Sequence, residues 1–379
     1  MTTIEEARNY FPYIKTGFVY FNHAAVGPIS TLVKSKLDEY LLQRSETVVE
    51  NYFETIPQVK SAKEKIARLV NSDVNSIGWT DNVSNAMNII AQGLDWKYGD
   101  QIILNDIEFP ANVYPFLNLK NIGVEILFAK SENWKVDLPE IEKLVTSKTR
   151  LISISMVQFL SGYRADIKAI GDYCKSKNII FCVDGIQAAG NVNINLRYYS
   201  VDFFAGGTQK WLMGLQGLSY FYISKNLFDK IIPKNIGWTS VKNAWHFLDY
   251  KLDLLDNAER FQNGTNSRIA MIAIDESLNL FEQIGYTQIE NKILENSTYF
   301  IQKLTDNGLN PILKNIEMKN IAGIVSLKIN NTENIMRNLK ERKIACSLRE
   351  GLIRFSPHFY NTKDEINYVV DELTKQISV

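Results

Sequence analysis

The chain has few of the residues that form disulfide frameworks or metal cages. Its 379 residues include only three cysteines, which lie far apart and cannot all pair: Cys174, Cys182 and Cys346. None of the three histidines has the helical or hairpin spacing of metal ligands: His23, His246 and His358. Scattered cysteines of this kind are typical of a reducing compartment. We therefore expect a cytoplasmic protein without a metal site.

An excess of charge and long apolar runs are also missing. The 42 Lys and Arg residues balance 42 Asp and Glu residues, so the formal net charge is zero and no basic patch predicts a nucleic-acid partner. No apolar run is long enough to span a bilayer, and the first eight residues contain acidic side chains but no signal-peptide core. We expect a soluble protein with no membrane partner.

What the sequence does contain is a regular alternation of short apolar runs and helical patterns through its first two thirds. The runs are rich in β-branched and aromatic residues and lie at 101–104, 124–128, 151–155, 179–183 and 219–223. Strands that are apolar on both faces and separated by helices indicate a mostly parallel central sheet covered by helices. The chain is therefore predicted to have an α/β fold.

Helical spacing and capping residues predict the helices and the division into domains. Apolar periodicity predicts helices over 83–90, 167–174 and 269–281, and a capping box of Thr362 and Glu365 predicts a closing helix. The last third has long helical stretches, which indicates a smaller α+β C-terminal domain. We predict three parts: an N-terminal arm at 1–15, a large domain at 16–252 and a small domain at 253–379.

A lysine on a glycine-bounded turn is the most informative local feature. Residues 206–214 read GGTQKWLMG, with Lys210 at their centre, and Asp184 follows the apolar run 179–183. A lysine that can form a Schiff base and a carboxylate that can keep a pyridine nitrogen protonated are the pair that pyridoxal phosphate (PLP) chemistry requires. Gln187 could donate to the phenolic oxygen of that cofactor. Taken singly, a solvated lysine and a helix-capping aspartate would explain the same residues.

Three further positions fit a PLP site, and each has an ordinary structural alternative. The segment Asn82-Val83-Ser84 begins a predicted helix, so its N–H groups and the Ser84 hydroxyl could bind a phosphate, or Asp81 or Asn82 could simply cap the helix. Phe109 could stack on a planar ring or belong to the core. Arg354 lies in an apolar, strand-like run, where it could bind a substrate carboxylate or form a buried ion pair.

In this order, the motifs resemble the class V aminotransferase family of PLP-dependent enzymes, the fold-type I group that includes cysteine desulfurases, kynureninase and isopenicillin N epimerase-like proteins. The likeness runs almost from end to end, through the segments 20–28, 82–84, 108–112, 183–187, 208–212, 264–265 and 354–362. It implies a fold-type I transferase with PLP as cofactor and an amino acid as substrate.

Carried over by position, the resemblance implies one role for each matched residue. Lys210 is implied as the catalytic, Schiff-base lysine. The implied cofactor-binding residues are Asp184 on the pyridine nitrogen, Gln187 on the phenolic oxygen, Phe109 over the ring, Asn82, Val83 and Ser84 at the phosphate, and Gln158, Gln209 and Thr265. The implied substrate-binding residues are Arg354, Asn22 and His23. Gly264 and Thr265 match a segment that reaches the phosphate of the neighbouring subunit, which implies a homodimer with active sites at the interface.

Two departures from the family bear on the reaction. Cysteine desulfurases carry a histidine over the ring and a mobile loop with a persulfide cysteine, whereas this chain has Phe109 and too few residues between Cys346 and Arg354 for such a loop. Cys346 lies in a strand-like run and is expected to be buried.

Because transamination needs only Lys210 as a base, we rank it first. A β-lyase, either kynureninase-like or a C–S lyase, comes next, followed by an epimerase and a cysteine desulfurase. The non-enzyme alternative is a catalytically silent binding protein of the same fold, and the intact set of Asp184, Lys210 and Arg354 argues against it. The substrate side chain stays open, with Trp238 and His246 among the residues that could line its pocket.

Overall fold

A computed structural model gives the three-dimensional structure of the chain and describes residues 2–377. Met1, Ser378 and Val379, which fall at the ends of the predicted arm and small domain, lie outside the described residues. The strands of the described part are β1 (Val19–Tyr20), β2 (Ile77–Thr80), β3 (Gln101–Asn105), β4 (Glu125–Ala129), β5 (Thr149–Ser155), β6 (Ile180–Asp184), β7 (Phe203–Gly207), β8 (Ser219–Ile223), β9 (Val325–Lys328), β10 (Ile344–Ala345), β11 (Ser347–Arg349) and β12 (Leu352–Phe355). Its α-helices are α1 (Ile4–Arg8), α2 (Thr31–Leu42), α3 (Ile56–Leu69), α4 (Val83–Gly93), α5 (Tyr114–Leu117), α6 (Leu138–Glu142), α7 (Ile167–Ser176), α8 (Leu196–Tyr199), α9 (Lys225–Phe228), α10 (Arg268–Ile284), α11 (Tyr286–Asp306), α12 (Thr332–Glu341) and α13 (Lys363–Ile377).

A seven-stranded sheet in the order β2-β8-β7-β6-β5-β3-β4 forms the centre of the molecule. Its strands from β7 to β4 are parallel, while β8 runs antiparallel to both β7 and β2. Helices cover both faces, so along β5 the side chains of Ile152 and Ile154 enter one core and Leu151 enters the other. The predicted α/β fold with a mostly parallel sheet is confirmed.

The predicted elements are present, and two strands of the central sheet were missed. The five predicted strands correspond to β3, β4, β5, β6 and β8, and the four predicted helices correspond to α4, α7, α10 and α13. The capping box before α13 is also present, since the Glu365 N–H donates to Thr362 Oγ1 at 3.2 Å and the Thr362 N–H donates to Glu365 Oε2 at 3.0 Å. The missed strands are β2 and β7. The second of these ends in Gly206 and Gly207, which weaken a strand pattern in the sequence.

A second, smaller sheet lies in the C-terminal part of the chain. Its antiparallel strands have the order β11-β12-β9, and α11, α12 and α13 pack around it. Short β1 pairs in parallel with β10, which brings Val19 and Phe21 into the same core as Phe300, Phe355 and Ile366.

Packing crosses the boundaries that we predicted for the domains. In addition to the pairing of β1 with the C-terminal part, α10 packs against α2 and α3 and contributes Ala270, Met271 and Ile274 to the core of the large domain. The division at 1–15, 16–252 and 253–379 stays a prediction. Chain order alone does not decide which core a segment joins.

None of the helices in residues 2–377 combines the length and the apolar character needed to cross a bilayer. The same residues contain no cluster of His, Cys, Asp and Glu side chains that could hold a metal ion. All three cysteines are free thiols.

Candidate active site

The candidate site lies at one edge of the central sheet. Because β2 is antiparallel to β8, and β8 is antiparallel to β7, the strand β2 points the same way as the parallel strands. The carboxyl ends of β2, β3, β5, β6 and β7 therefore meet at one edge, where ligands of open α/β sheets bind. The ends of these strands and the residues that follow them include all of the predicted site segments between 82 and 210.

The turn that carries Lys210 is closed by its own backbone and by the N-terminal segment. The Gly214 N–H donates to the Thr208 carbonyl at 2.8 Å, and the Met213 N–H donates to the Lys210 carbonyl at 3.0 Å. The Gly27 N–H donates to the Gln209 carbonyl at 2.7 Å. A Cβ atom on Gly27 would lie 2.2 Å from the Lys210 carbonyl oxygen, so the close approach requires glycine. Gln209 thus contributes to the site through its main chain.

Asp184 is buried at the end of β6 and has one oxygen without a partner. Its Oδ1 accepts from the Ile186 N–H at 2.9 Å, whereas Oδ2 is buried with no hydrogen bond. Burial raises the pKa of Asp184, and the nearby charge of Glu108 raises it further, while Lys210 opposes the shift. A buried carboxylate oxygen without a donor is costly. A protonated pyridine nitrogen would supply the missing donor, so the residue fits the cofactor.

Lys210 lies in a partly buried, electropositive setting. Burial lowers the pKa of Lys210, Asp184 opposes this shift, and the positive charges of Arg354 and Arg349 add to it. The amine is therefore neutral, and nucleophilic, at a lower pH than an exposed lysine would be. The contribution of Arg349 was not foreseen from the sequence, because only the fold brings it near Lys210.

Phe109 and Gln158 line the same space as Lys210. The Lys210 Nζ atom lies 5.5 Å from the centre of the Phe109 ring, which is 41% exposed and packs edge-on against Phe159. Gln158 is buried, with its Nε2 donating to Glu108 Oε1 at 3.1 Å and its Oε1 without a partner. An exposed ring beside the lysine and a free amide oxygen leave room for a planar ligand.

Glu108 is a site residue that sequence reasoning missed. It is buried, and it accepts hydrogen bonds from the Ser155 N–H at 2.6 Å and from the side chains of Asn105, Ser155 and Gln158. The sequence could have indicated Glu108, because it follows the end of β3 by three residues and ligands bind at the carboxyl ends of such strands.

The segment before α4 keeps its first N–H groups free for an anion. Asn82 caps the helix, accepting from the Asn85 N–H at 2.8 Å, and the first ladder bond runs from the Ala86 N–H to the Asn82 carbonyl. The N–H groups of Val83 and Ser84 precede both bonds. The Asp81 carboxylate is held by the Asn85 side chain at 2.7 Å. The cap and the predicted phosphate site are therefore compatible.

Gln187 is buried between the Lys210 turn and the N-terminal segment. Its Nε2 donates to the Ala24 carbonyl at 3.0 Å, and its Oε1 accepts from Trp211 Nε1 at 2.8 Å. One N–H of the amide remains for the predicted bond to a phenolic oxygen.

Arg354 is a buried cation without an acidic partner in the described part of the chain. Its Nη1 donates to the Phe159 carbonyl at 2.7 Å, and its Nε is buried without an acceptor. Burial lowers the pKa of Arg354 to about 10, and Arg349 adds to the shift. The alternative of a structural ion pair is not realised, so the guanidinium is available for a carboxylate.

The N-terminal segment differs from its prediction. His23 is fully buried, with Nδ1 against the Ser356 carbonyl at 2.8 Å and Nε2 against the Tyr360 hydroxyl. Both ring nitrogens are occupied in the core, so His23 as a substrate-binding residue is corrected to a core position. Asn22 is only partly buried, and its buried Oδ1 has no partner, which leaves it available for a ligand.

Cys346 is only partly buried, less than we expected. Its sulfur lies 3.5 Å from the sulfur of Met336, and burial raises the pKa of its thiol to about 12. The strands β11 and β12 that follow form a tight hairpin, with Arg349 paired to Leu352. This hairpin takes up the residues between Cys346 and Arg354, which we expected from the sequence to be too few for a cysteine loop.

Thr265 is not placed beside Lys210 of its own chain. Together with Gly264 it lines a surface groove of about 450 Å³ that also includes Tyr52, Thr239 and Arg268. The groove contains neither Lys210 nor Asp184.

The fold and the site define a PLP-dependent enzyme, and comparison with known proteins gives its family. The model of the family described as aminotransferase class-V matches residues 19–369, and the chain belongs to this family of PLP-dependent enzymes. It is 27% identical over 372 residues to an uncharacterized aminotransferase, YcbU, of Bacillus subtilis (strain 168), with 97% of each chain covered.

Two solved structures share the fold. The apo cysteine desulfurase of Thermococcus onnurineus NA1 matches with a TM-score of 0.90 and 22% identity, covering 100% of this chain and 99% of that one. A lysine-to-alanine variant of C-DES with glycine covalently linked to its PLP cofactor matches with a TM-score of 0.88 and 22% identity, covering 97% and 98%.

Proposed function

We propose that this enzyme is an aminotransferase that acts on an amino acid, with Lys210 as its catalytic lysine. The observation that carries the proposal is the surroundings of the Lys210 amine. Its pKa is lowered by burial, a phenyl ring stands beside it, and the thiol of Cys346 packs against Met336 and has a raised pKa. Transamination needs one base that moves a proton and no further acid or thiol, which matches this set.

The residues that we propose to hold PLP follow from their unsatisfied groups. Asp184 Oδ2 accepts from the pyridine nitrogen, and the N–H groups of Val83 and Ser84 bind the phosphate. Phe109 covers one face of the ring, and Gln187 and Gln158 lie at the polar edge of the ring. Gln187 can offer only one N–H to the cofactor, because its amide already bonds to the Ala24 carbonyl and to the Trp211 side chain. When bound, PLP supplies a covalent attachment for an amine and withdraws the electron pair left at the substrate Cα.

Arg354 is proposed to bind the substrate carboxylate. A buried guanidinium with a free Nε presents a fork that a carboxylate can fill with two hydrogen bonds. The free Oδ1 of Asn22 supports a second polar contact with the substrate. Fixing the carboxylate sets the direction of the Cα–H bond relative to Lys210, and this orientation decides which bond breaks.

The test is a titration of the purified protein with a panel of amino acids. We expect a yellow protein whose colour is fixed by borohydride and is lost in Lys210→Ala. An amino donor should bleach the band and release a keto acid in an amount equal to the active subunits. Ammonia with a keto acid would instead identify a β-lyase, sulfide a desulfurase, and inverted substrate an epimerase. A colourless wild-type protein would refute the PLP assignment of these residues.

We also propose a homodimer in which Thr265 reaches the phosphate of the partner subunit. The support is an exposed aromatic surface beside the Thr265 groove: Trp245 contacts Tyr52, Phe53 and Trp238 within 5.5 Å between ring centres, and Phe247 is also exposed. Exposed apolar surface of this kind favours association. The mass in solution, measured by light scattering, should be that of two chains, and Trp245→Glu should lower it.

The three free thiols support a cytoplasmic location.

A further inference from the structure

The tip of the β11–β12 hairpin places a second arginine near the candidate site. Arg349 pairs with Leu352, and Ser347 pairs with Arg354. Directly opposed residues of an antiparallel pair share a face, and so do residues two apart along one strand. Arg349 and Arg354 therefore project from the same face of the hairpin, at diagonal positions roughly 7–8 Å apart at the backbone.

The hairpin is built so that Arg349 has a defined place. Its turn consists of Glu350 and Gly351, both in the left-handed region with φ of 46° and 74°. Two residues of this conformation make the tight connection that matches the twist of the flanking strands. The turn thus holds Arg349 at the end of β11, two positions from Ser347 and across from the buried strand that carries Arg354.

Neither arginine has an acidic partner in residues 2–377. Arg349 is exposed and its Nη1 donates only to the Leu348 carbonyl at 2.9 Å, although Glu350 is its neighbour in the chain. Arg354 donates to a carbonyl and keeps a buried Nε without an acceptor. Both positive charges also act on Lys210. Like charges at close positions are destabilising unless an anion lies between them.

One carboxylate accounts for only one of these arginines. The α-carboxylate of an amino acid satisfies the buried guanidinium of Arg354 and leaves Arg349 with its charge uncompensated. Arginine binds carboxylates through a planar fork, and a second anionic group on the ligand would meet this need. An arginine side chain is long enough to converge on a small ligand from a diagonal position.

We propose that Arg349 binds a second acidic group on the substrate, so that the enzyme selects amino acids with an acidic side chain. This inference rests on the proposed function, because it assigns the Arg354 end of the same site to the α-carboxylate. Arg349 is then a specificity-determining residue, while Lys210 and Asp184 serve any amino acid.

The experiment compares dicarboxylates with monocarboxylates by calorimetric titration of the holoenzyme. Succinate should bind about tenfold or more tightly than propionate, as expected when a charged hydrogen-bonded contact is added. Arg349→Gln should abolish this preference and leave propionate binding unchanged, and Arg349→Lys should restore part of it. Arg337→Gln is the matched control, since Arg337 is an exposed arginine of α12 that bonds only to Asn334. It should behave as the wild type.

The same preparations separate this inference from the proposed function. The colour of the protein and its bleaching by amino acids test the proposed function. Aspartate and glutamate should act at about tenfold lower concentration than asparagine and glutamine, and Arg349→Gln should equalise each pair. If neutral amino acids bleach the protein equally well, or if Arg349→Gln keeps the succinate preference, the acidic selectivity is refuted while the proposed function stands. If no PLP is bound, the proposed function fails, and equal binding of succinate and propionate would then refute the inference independently.

Discussion

Arg354 should lower the stability of the folded protein while it provides binding of the substrate carboxylate. Arg354→Met should therefore raise the free energy of unfolding and weaken substrate binding at the same time. Burial lowers the pKa of Arg354 from its usual range to about 10. A base whose pKa is lower in the folded protein than in the unfolded chain makes folding less favourable while it is charged. At neutral pH the charged Arg354 side chain therefore lowers the free energy of unfolding of the ligand-free protein by about 3 kcal/mol. Methionine has a similar length and no charge.

The replacement also has a cost, because the Phe159 carbonyl loses its donor at 2.7 Å. Leaving a buried carbonyl unpaired costs about 1–2 kcal/mol. The net expectation for Arg354→Met is an increase of about 1–2 kcal/mol in the free energy of unfolding of the cofactor-free protein. In a chain of this length that is a rise of about 1–3 °C in Tm. For the holoenzyme, the loss of a charged bond to the substrate carboxylate should raise KM by about 30- to 150-fold.

Arg164→Met is the control with the opposite sign. Arg164 Nη1 lies 2.9 Å from Glu290 Oε1, so this arginine has the acidic partner that Arg354 lacks. Its replacement leaves a carboxylate unpaired and should lower the free energy of unfolding by about 1–3 kcal/mol, a range reduced for partial exposure. Urea titration and steady-state kinetics measure both effects. The reasoning is refuted if Arg354→Met is destabilised as much as Arg164→Met, or if its KM is unchanged.

Two further predictions concern groups outside the proposed chemistry. Cys346→Ala should keep turnover within about twofold and lose about 1 kcal/mol of stability, because its partly buried thiol packs against Met336. Cys174→Ala, at a fully buried thiol, is the control for stability, and loss of turnover with retained cofactor in Cys346→Ala alone would indicate a desulfurase. Burial lowers the pKa of His358 to about 3, so the unfolded chain takes up a proton below about pH 6.5 while the folded chain does not, and stability is lost as pH falls. Between pH 7 and pH 5 the wild type should lose about 2 kcal/mol more than His358→Gln in urea titrations; an equal loss in both proteins would contradict the neutral, buried state of His358.

Local sequence was enough to find most of the elements of the central sheet and most of the candidate site. The apolar runs form strands because a sheet that is covered by helices on both faces needs apolar side chains on each face. Along β5, Leu151 enters one core and Ile152 enters the other. The lysine turn could be recognised because Lys210 needs a glycine-rich connection after β7. Asp184 could be recognised because it ends a strand, and the sheet direction then places it beside that turn.

Position in the chain was a poor guide where several segments pack together. His23 belongs to a matched motif, yet its imidazole is buried against Ser356 and Tyr360, more than 300 residues away in the sequence. Glu108 follows the end of β3 by three residues, but only the hydrogen bonds from Ser155 and Gln158 show that it is buried in the site near Asp184.

The sequence by itself determined the class of fold, the family and the lysine at the centre of the candidate site, because these depend on local patterns and on motifs in a fixed order. Only the tertiary structure decided which charges are compensated. Among residues 2–377 it leaves Arg354 buried without a carboxylate, and it brings Arg349 to the same face of a hairpin. The physical reason is that desolvation and Coulomb interactions depend on distances between residues that are remote in the chain, and these distances exist only after folding.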